Sequence, residues 1–242
     1  MENTKPIIQA VGFAFYFFIS GCATTNNAND PLEGWNRGAQ SFNDKIDQYA
    51  LKPVAKAYQW VMPNFADQGI TNFFSNINDI SVTLNDLLQF KLKQTGMDGS
   101  RFLVNSTAGI GGLLDIAAMI DLPKHNEDFD QTLHVWGVPS GPYLVLPLFG
   151  PSSPRGVTGL VGDAAVNPAT YIAGMNLLNV VDKRADNLTT EKILTEASVD
   201  RYEFIKNSYL QRRSFLVNDG NLPEGEDDPL ENPQGENSKA ID

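Results

Sequence analysis

From Asp30 to Gly220 the apolar positions recur at spacings of three and four, the interval that lines side chains along one face of a helix. Asp30-Pro31-Leu32-Glu33 sets a capping residue before a proline at the first helical position and an acid at the third, and Trp35, Phe42, Ile46 and Tyr49 follow at helical spacing. A second helix is predicted from Pro53, with Val54, Tyr58 and Val61 on one face, until Pro63 stops it. Phe65–Phe74 and Ile80–Phe90 are predicted as two separate helices, the second bearing Leu84, Leu87 and Leu88. Ser100–Ser106 and the short apolar run Leu113–Ile120 give two more. The longest prediction is Thr189–Val217, capped by Thr189 or Thr190, with Ile193, Ala197, Tyr202, Ile205 and Tyr209 along one side and charges on the other. No stretch alternates long enough to predict a strand, so the fold class is mainly α.

One segment breaks the helical pattern. Val135–Gly156 combines Gly137, Gly141, Gly150 and Gly156 with Pro139, Pro142, Pro147, Pro151 and Pro154, around the apolar run Tyr143-Leu144-Val145-Leu146 and then Leu148-Phe149. Proline removes backbone donors and glycine permits tight bends, so a long helix is not expected here. Two readings fit the composition: a loop that covers the core with its own aliphatic residues, or an apolar loop that meets lipid tails. Periodicity does not choose between them.

The N-terminal apolar run closes on Phe17-Phe18-Ile19-Ser20-Gly21-Cys22, and Cys22 is the one cysteine of the chain. Small residues before a lone cysteine at the end of an apolar leader form a bacterial lipoprotein signal, so residues 1–21 are expected to be removed and Cys22 to carry a diacylglyceryl and an N-acyl chain. Each buried methylene contributes roughly 0.8 kcal/mol to membrane attachment. Ala23, rather than an aspartate, follows the cysteine and favours export to the outer membrane; residues 22–29 read as a lipidated polar tether.

Composition narrows the partners. The 242 residues carry a formal charge of −11, but residues 218–242 hold eight acidic side chains against Lys239 alone, together with three prolines. The tail 221–242 is therefore predicted to be disordered, and residues 30–220 to form the folded domain. No basic stripe exists to neutralise phosphates along a nucleic acid. After Cys22 no apolar run approaches the ~20 residues of a spanning helix.

Candidate catalytic groups are few. His125 and His134 do not sit at a metal-binding spacing, Ser140 in Gly137-Val138-Pro139-Ser140-Gly141 lies one position late for a nucleophile elbow, and Gly109-Ile110-Gly111-Gly112 lacks the rest of a dinucleotide or phosphate loop. Asp128, Asp130 and His134 with Ser140 form the best hydrolase alternative. The reading adopted is a non-enzymatic protein without a cofactor or metal.

Several motifs then occur in order: Asn29-Asp30-Pro31-Leu32-Glu33-Gly34-Trp35-Asn36-Arg37, Ser41-Phe42-Asn43, Leu51-Lys52-Pro53-Val54-Ala55, Asn72-Phe73-Phe74-Ser75-Asn76, Arg101–Gly109, Gly111–Ala117, Gly141–Pro147 and Gln211–Phe215. The set resembles the MlaA (VacJ) family of outer-membrane lipoproteins. Trp35, where that family usually has phenylalanine, and the Pro-Ser-Ser-Pro run after Gly150 depart from it. The resemblance implies a ring-shaped helical lipoprotein in the inner leaflet of the outer membrane, beside a trimeric porin. Misplaced outer-leaflet phospholipids would pass through its amphipathic channel to a soluble periplasmic carrier (MlaC-like), restoring lipid asymmetry. It further implies that the Gly137–Gly150 loop lines and gates the channel through Gly137, Gly141, Tyr143, Leu144, Leu146 and Gly150. Trp35, Phe42, Asn43, Asn72 and Phe73 would shape the ring or meet lipid or porin; the plainer role of the asparagines is to shape helix junctions. Trp35, Tyr49, Tyr58 and Trp60 are amphipathic aromatics suited to the headgroup region. Arg37, Arg101, Arg212 and Arg213 would either meet phosphate headgroups or serve as surface ion-pair partners. A structural tether at the outer membrane is the remaining alternative.

Overall fold

The computed structural model describes residues 30–188, 190 and 200–221. Cys22, the tether, Thr189, Ile193, Ala197 and the acidic tail beyond Asn221 lie outside them. The described chain is mainly α: α1 (Glu33–Ile46), α2 (Lys52–Val61), α3 (Asn64–Leu88), α4 (Leu92–Thr107), α5 (Ile116–Met119), α6 (Phe129–Val135), α7 (Pro154–Val166), α8 (Met175–Asp186) and α9 (Arg201–Val217). Between α6 and α7 stands a small antiparallel hairpin, β1 (Leu144–Leu146) with β2 (Gly150–Ser152), registered Leu144 to Ser152 and Leu146 to Gly150. The sequence predicts no strand; this hairpin is three residues a side, too short for alternation to register.

Several boundaries differ from the sequence pattern, each for a physical reason. Asp30 does not cap α1, which begins at Glu33; its carboxylate is buried and engaged elsewhere. α1 and α2 are not separate: a five-residue π-helix, Asp47–Leu51, joins them into one rod. Pro53 lacks the N–H that an α-helix would use and crowds the preceding turn, and the wider π turn absorbs both defects. The two helices predicted at Phe65–Phe74 and Ile80–Phe90 are one helix of 25 residues. The polar residues between the two predicted segments are buried against partners: Asn76 Nδ2 donates to Ser106 Oγ at 2.9 Å, and Asp79 pairs with Lys124 and Arg101. α4 starts eight residues before the predicted Ser100, directly after the tight turn at Phe90 (φ 61°). The Leu113–Ile120 helix shrinks to α5, whose N-cap is Asp115. The long C-terminal helix is interrupted at Asp200, which is extended and accepts from the N–H groups of Tyr202 and Glu203 as the N-cap of α9.

The burial pattern runs against that of an ordinary soluble domain. Among the largest fully buried side chains are Arg101, Asn36, Asn85, Thr132, Asp30, Asp79, Asp86, Asp98 and Asp182; Val82 and Val145 are the apolar members of that set, and the other fully buried apolar residues are alanines such as Ala55, Ala117 and Ala185. Trp60, Phe65 and Phe90 are 88%, 82% and 85% exposed, with Tyr49, Met119, Leu148, Phe149, Val161 and Tyr171 also on the surface.

The buried polar groups form the cross-links of the fold. Arg101 on α4 donates twice to Asp115 at 3.0 Å and also meets the carbonyl of Leu122, while Asn105 bridges Asp115 and the N–H of Ala117. Asp163 on α7 accepts from Ser81, Asn85 and the N–H of Phe129, and burial raises its pKa. Asn85 in turn accepts from Thr132 at 2.8 Å. Networks of this kind fix a unique arrangement because each bond left unmade costs more than each made one contributes. Among the described residues no helix is long and apolar enough to cross a membrane.

Candidate functional site

The Gly/Pro-rich segment is held as a hairpin by the side chains of α1. Asn36 Oδ1 accepts from the N–H of Val145 at 2.8 Å, and its Nδ2 donates to the carbonyl of Tyr143 at 3.0 Å. Asn43, seven residues on and therefore on the same helix face, repeats the device: its Nδ2 donates to the carbonyl of Leu146 at 2.9 Å and its Oδ1 accepts from the N–H of Leu148 at 2.7 Å. Trp35 Nε1 donates to the carbonyl of Val145 at 3.0 Å. Carboxamides have one donor side and one acceptor side, so two of them a heptad apart act as the missing neighbour strand for β1.

The base of the hairpin is buried on the other side by α9. Tyr143 packs with Tyr202 and Tyr209, at ring separations of 6.1 and 5.6 Å, and with Ala39 and Val145. Burial, then the neighbouring Tyr209, pushes the Tyr143 phenol up to about 12. Tyr202 donates to Asp30 at 2.5 Å and Lys206 reaches the same carboxylate at 3.3 Å. Arg37 stacks over the Tyr202 ring at 4.3 Å and pairs with Glu33 and Asp200. The first and last described helices therefore clamp the hairpin, while its tip, Leu148 (φ 70°) and Phe149, projects outward.

Two cavities border this segment. One, of about 410 Å³, lies at its tip between α1, the π-helix, α8 and α9. One wall is ionic: Asp47 holds Arg184 through two bonds of 2.6 and 2.7 Å, and Asp44 meets Arg201 at 3.2 Å. Leu51, Leu148, Phe149, Phe204 and Ile205 supply apolar lining to the same cavity. The second cavity, of about 440 Å³, lies at the start of the segment, where Gly137, Val138 and Ser140 face His134, Arg155 and Leu210. Gly141 joins the two regions at φ +75°, and a Cβ there would stand 2.9 Å from Pro154 Cγ. Only glycine fits that combination of left-handed backbone and close approach.

The hydrolase alternative loses its acids. Asp130 accepts from Arg155 Nε at 2.6 Å and also pairs with Arg213, and Asp128 both caps α6 and holds Arg213. His134 Nδ1 faces Arg155 at 3.0 Å, and burial followed by that positive charge lowers its pKa. An imidazole turned to a guanidinium rather than a carboxylate lacks the orienting group of a nucleophilic triad.

The residues expected from the sequence divide accordingly. Gly137 and Gly150 line the two cavities, Gly141 links them, Tyr143 is buried and Leu144 and Leu146 are half-buried in β1. Trp35 and Asn43 tie α1 to β1, and Phe42 is exposed. Asn72 instead donates to the carbonyl of Leu113, and Phe73 packs edge-on to Phe74. Of the four arginines considered for headgroups, Arg101 and Arg213 are internal ties, Arg37 is an exposed ion-pair partner of Glu33 and Asp200, and Arg212 is exposed. Sequence reading missed Asn36, Asp44, Asp47, Arg184 and Arg201. The heptad spacing of Asn36 and Asn43 was a visible signal; the ion pairs, formed across more than 130 residues, left none.

Comparison with known proteins gives concordant results. Residues 28–216 match the model of the family described as MlaA lipoprotein. A Haemophilus influenzae protein named "Intermembrane phospholipid transport system lipoprotein MlaA" is 34% identical, over 93% of this chain and 95% of its own length. The Escherichia coli K12 protein of the same name is 32% identical, over 91% and 90%. A solved structure described as "Structural basis for maintenance of bacterial outer membrane lipid asymmetry" superposes with a TM-score of 0.69 at 32% identity, covering 78% of this chain and 98% of that one.

Proposed function

Because the chain belongs to the MlaA lipoprotein family, we propose that it is an outer-membrane lipoprotein that removes phospholipids misplaced in the outer leaflet. Cys22 anchors it in the periplasmic leaflet beside a trimeric porin. Lipids descend through an amphipathic path and pass to a soluble periplasmic carrier, without covalent chemistry. The observation that supports this reading most is the reversed burial: charged and amide side chains inside, Trp60, Phe65 and Phe90 outside. Such a surface is costly in water and suited to hydrocarbon, while the polar groups turned inward are kept out of it.

The cavity at the hairpin tip fits a diacyl lipid in kind. A headgroup needs polar partners, acyl chains need none, and Asp47–Arg184 faces Phe149 and Phe204 across one space. The Gly137–Gly150 segment, bordering both cavities and turning at Gly141, is the gate.

The test is the phospholipid content of the outer leaflet in a strain lacking the protein. Complementation by the natural chain is expected to return it to normal and Cys22→Ala is expected to fail. Unchanged leaflet composition on deletion, or an unmodified Cys22 thiol in the mature protein, overturns the reading. Transfer from asymmetric liposomes to a carrier separates transport from a purely structural tether, which moves no lipid.

A further inference from the structure

The cavity at the hairpin tip is lined by two Asp–Arg ion pairs. The π-helix Asp47–Leu51 supplies two of its residues, Asp47 on the ionic side and Leu51 on the apolar side. π-helical turns are rare and cluster at functional sites. Arg201 is the first residue of α9, where a cation opposes the helix dipole, so its placement is not explained by the stability of that helix. Both arginines line the same cavity and pair with aspartates of the α1/π rod: Arg184 with Asp47 in a two-bond fork, Arg201 with Asp44 at the exposed rim. The Arg184 side chain is 16% exposed, so the fork lies in the wall rather than out in solvent.

Resting on the transport reading, we propose that Arg184 and Arg201 form a phosphodiester-recognition wall, in which the lipid's phosphate replaces Asp47 and Asp44 as the partner of the guanidinium groups. A phosphodiester monoanion offers the same paired oxygens as a carboxylate, so the exchange keeps the fork's hydrogen bonds. Leu148, Phe149 and Phe204, in the lining of the same cavity, take the first methylenes of the acyl chains. The aspartates compete with the ligand for the guanidinium groups and so prevent a hold too tight for onward release. Selection then falls on the phosphate common to all glycerophospholipids and not on the headgroup beyond it.

The experiment uses the full mature protein in detergent. Binding of monomeric dihexanoylphosphatidylglycerol is compared with that of dihexanoylglycerol, which has the same tails and no phosphate, and with inorganic phosphate. The phospholipid is expected to bind at least tenfold more tightly than either. Arg184→Gln with Arg201→Gln is expected to bring phospholipid and diacylglycerol to the same affinity. Asp47→Asn, which removes the competitor while keeping the shape, is expected to tighten phospholipid binding severalfold. Equal affinity for phospholipid and diacylglycerol in the natural protein overturns the proposal. Inorganic phosphate binding as tightly as the phospholipid overturns it too, since the site then serves free phosphate. Weakened binding in Asp47→Asn also overturns it, because the pair is then a structural tie. If the natural chain restores leaflet asymmetry and the double arginine variant binds and restores it equally well, the recognition wall fails while transport stands; failure of the natural chain itself removes the transport reading.

Discussion

Tyr202 donates its hydroxyl to the buried carboxylate of Asp30 at 2.5 Å, joining residues 172 apart in the chain. The bond closes the fold: Asp30 precedes α1, Tyr202 opens α9, and the Tyr143 ring at the base of the hairpin packs against Tyr202. Tyr202→Phe keeps the ring cluster and the Arg37 stacking but leaves Asp30 with Lys206 and Asn36 as its remaining partners. A charge-assisted bond lost at a buried acceptor is worth about 2 kcal/mol. Chemical denaturation of the detergent-solubilised protein is expected to record a loss of that size. Stability equal to the natural chain would mean the bond contributes no net free energy.

Asn36 and Asn43 make the same pair of contacts with β1 but differ in burial. Asn36 is fully buried and its removal strands the N–H of Val145 and the carbonyl of Tyr143 away from water; the partners of Asn43 are reached by solvent. Asn36→Ala is expected to cost about 3 kcal/mol and Asn43→Ala about 1 kcal/mol. Limited proteolysis within residues 137–150 is expected to accelerate in both, more strongly in Asn36→Ala. Equal sensitivity in the two variants would contradict the role assigned to burial.

Much of this architecture was legible in sequence because it is local. The stop at Pro63, the helical face of Tyr58 and Val61, and the Gly/Pro interruption after Val135 depend on nearby residues alone. What escaped notice is non-local or runs against the usual meaning of a polar residue. Asn76 and Asp79 fall between the two predicted helices; here both are buried against partners, and α3 runs through. Asp30 has the sequence of a cap, but tertiary partners on α9 claimed its carboxylate instead. The hairpin could not be read from alternation because its neighbouring strand is replaced by two amide side chains on a helix. The glycines of the gate were visible from composition, whereas the ionic wall of the adjoining cavity needed the fold to bring it together.

Asp86 on α3 is fully buried, with neither carboxyl oxygen hydrogen-bonded to a donor. Burial foremost, then the facing Asp98 of α4 and Glu127, pushes its pKa up to about 7, against the opposing pull of Lys91. The unfolded chain titrates this group near 3.8, so between pH 4 and 7 the folded form holds a proton that the unfolded form has released. Its contribution to stability is therefore full below the unfolded pKa and is lost as pH rises through the folded one. Asp86→Asn is expected to raise stability at pH 8 by about 1–2 kcal/mol, since an amide avoids the cost of an unpaired buried charge. It is also expected to flatten the fall in melting temperature between pH 5 and 8. Identical slopes in the two proteins would exclude Asp86 as the titrating group.

Gly141 is the one position of the proposed gate where both backbone and space exclude a side chain. Its φ of +75° disfavours any L residue by about 1 kcal/mol, and the new Cβ would press on the Pro154 ring that begins α7. Alanine meets that contact at 2.9 Å, so the segment must shift as a unit; tryptophan forces a larger displacement of the stretch that separates the two cavities. Because the hairpin itself stays tied by Asn36, Asn43 and Trp35, the displacement falls on residues 137–142 and not on the fold. Gly141→Trp is expected to alter outer-leaflet phospholipid levels while abundance and membrane fractionation stay normal, with Gly141→Ala between it and the natural chain. Gly137→Ala meets open space and carries only the backbone cost, so it serves as the matched control. Leaflet composition that responds equally to Gly137→Ala and Gly141→Trp would show that general loop strain, and not the hinge at Gly141, controls passage.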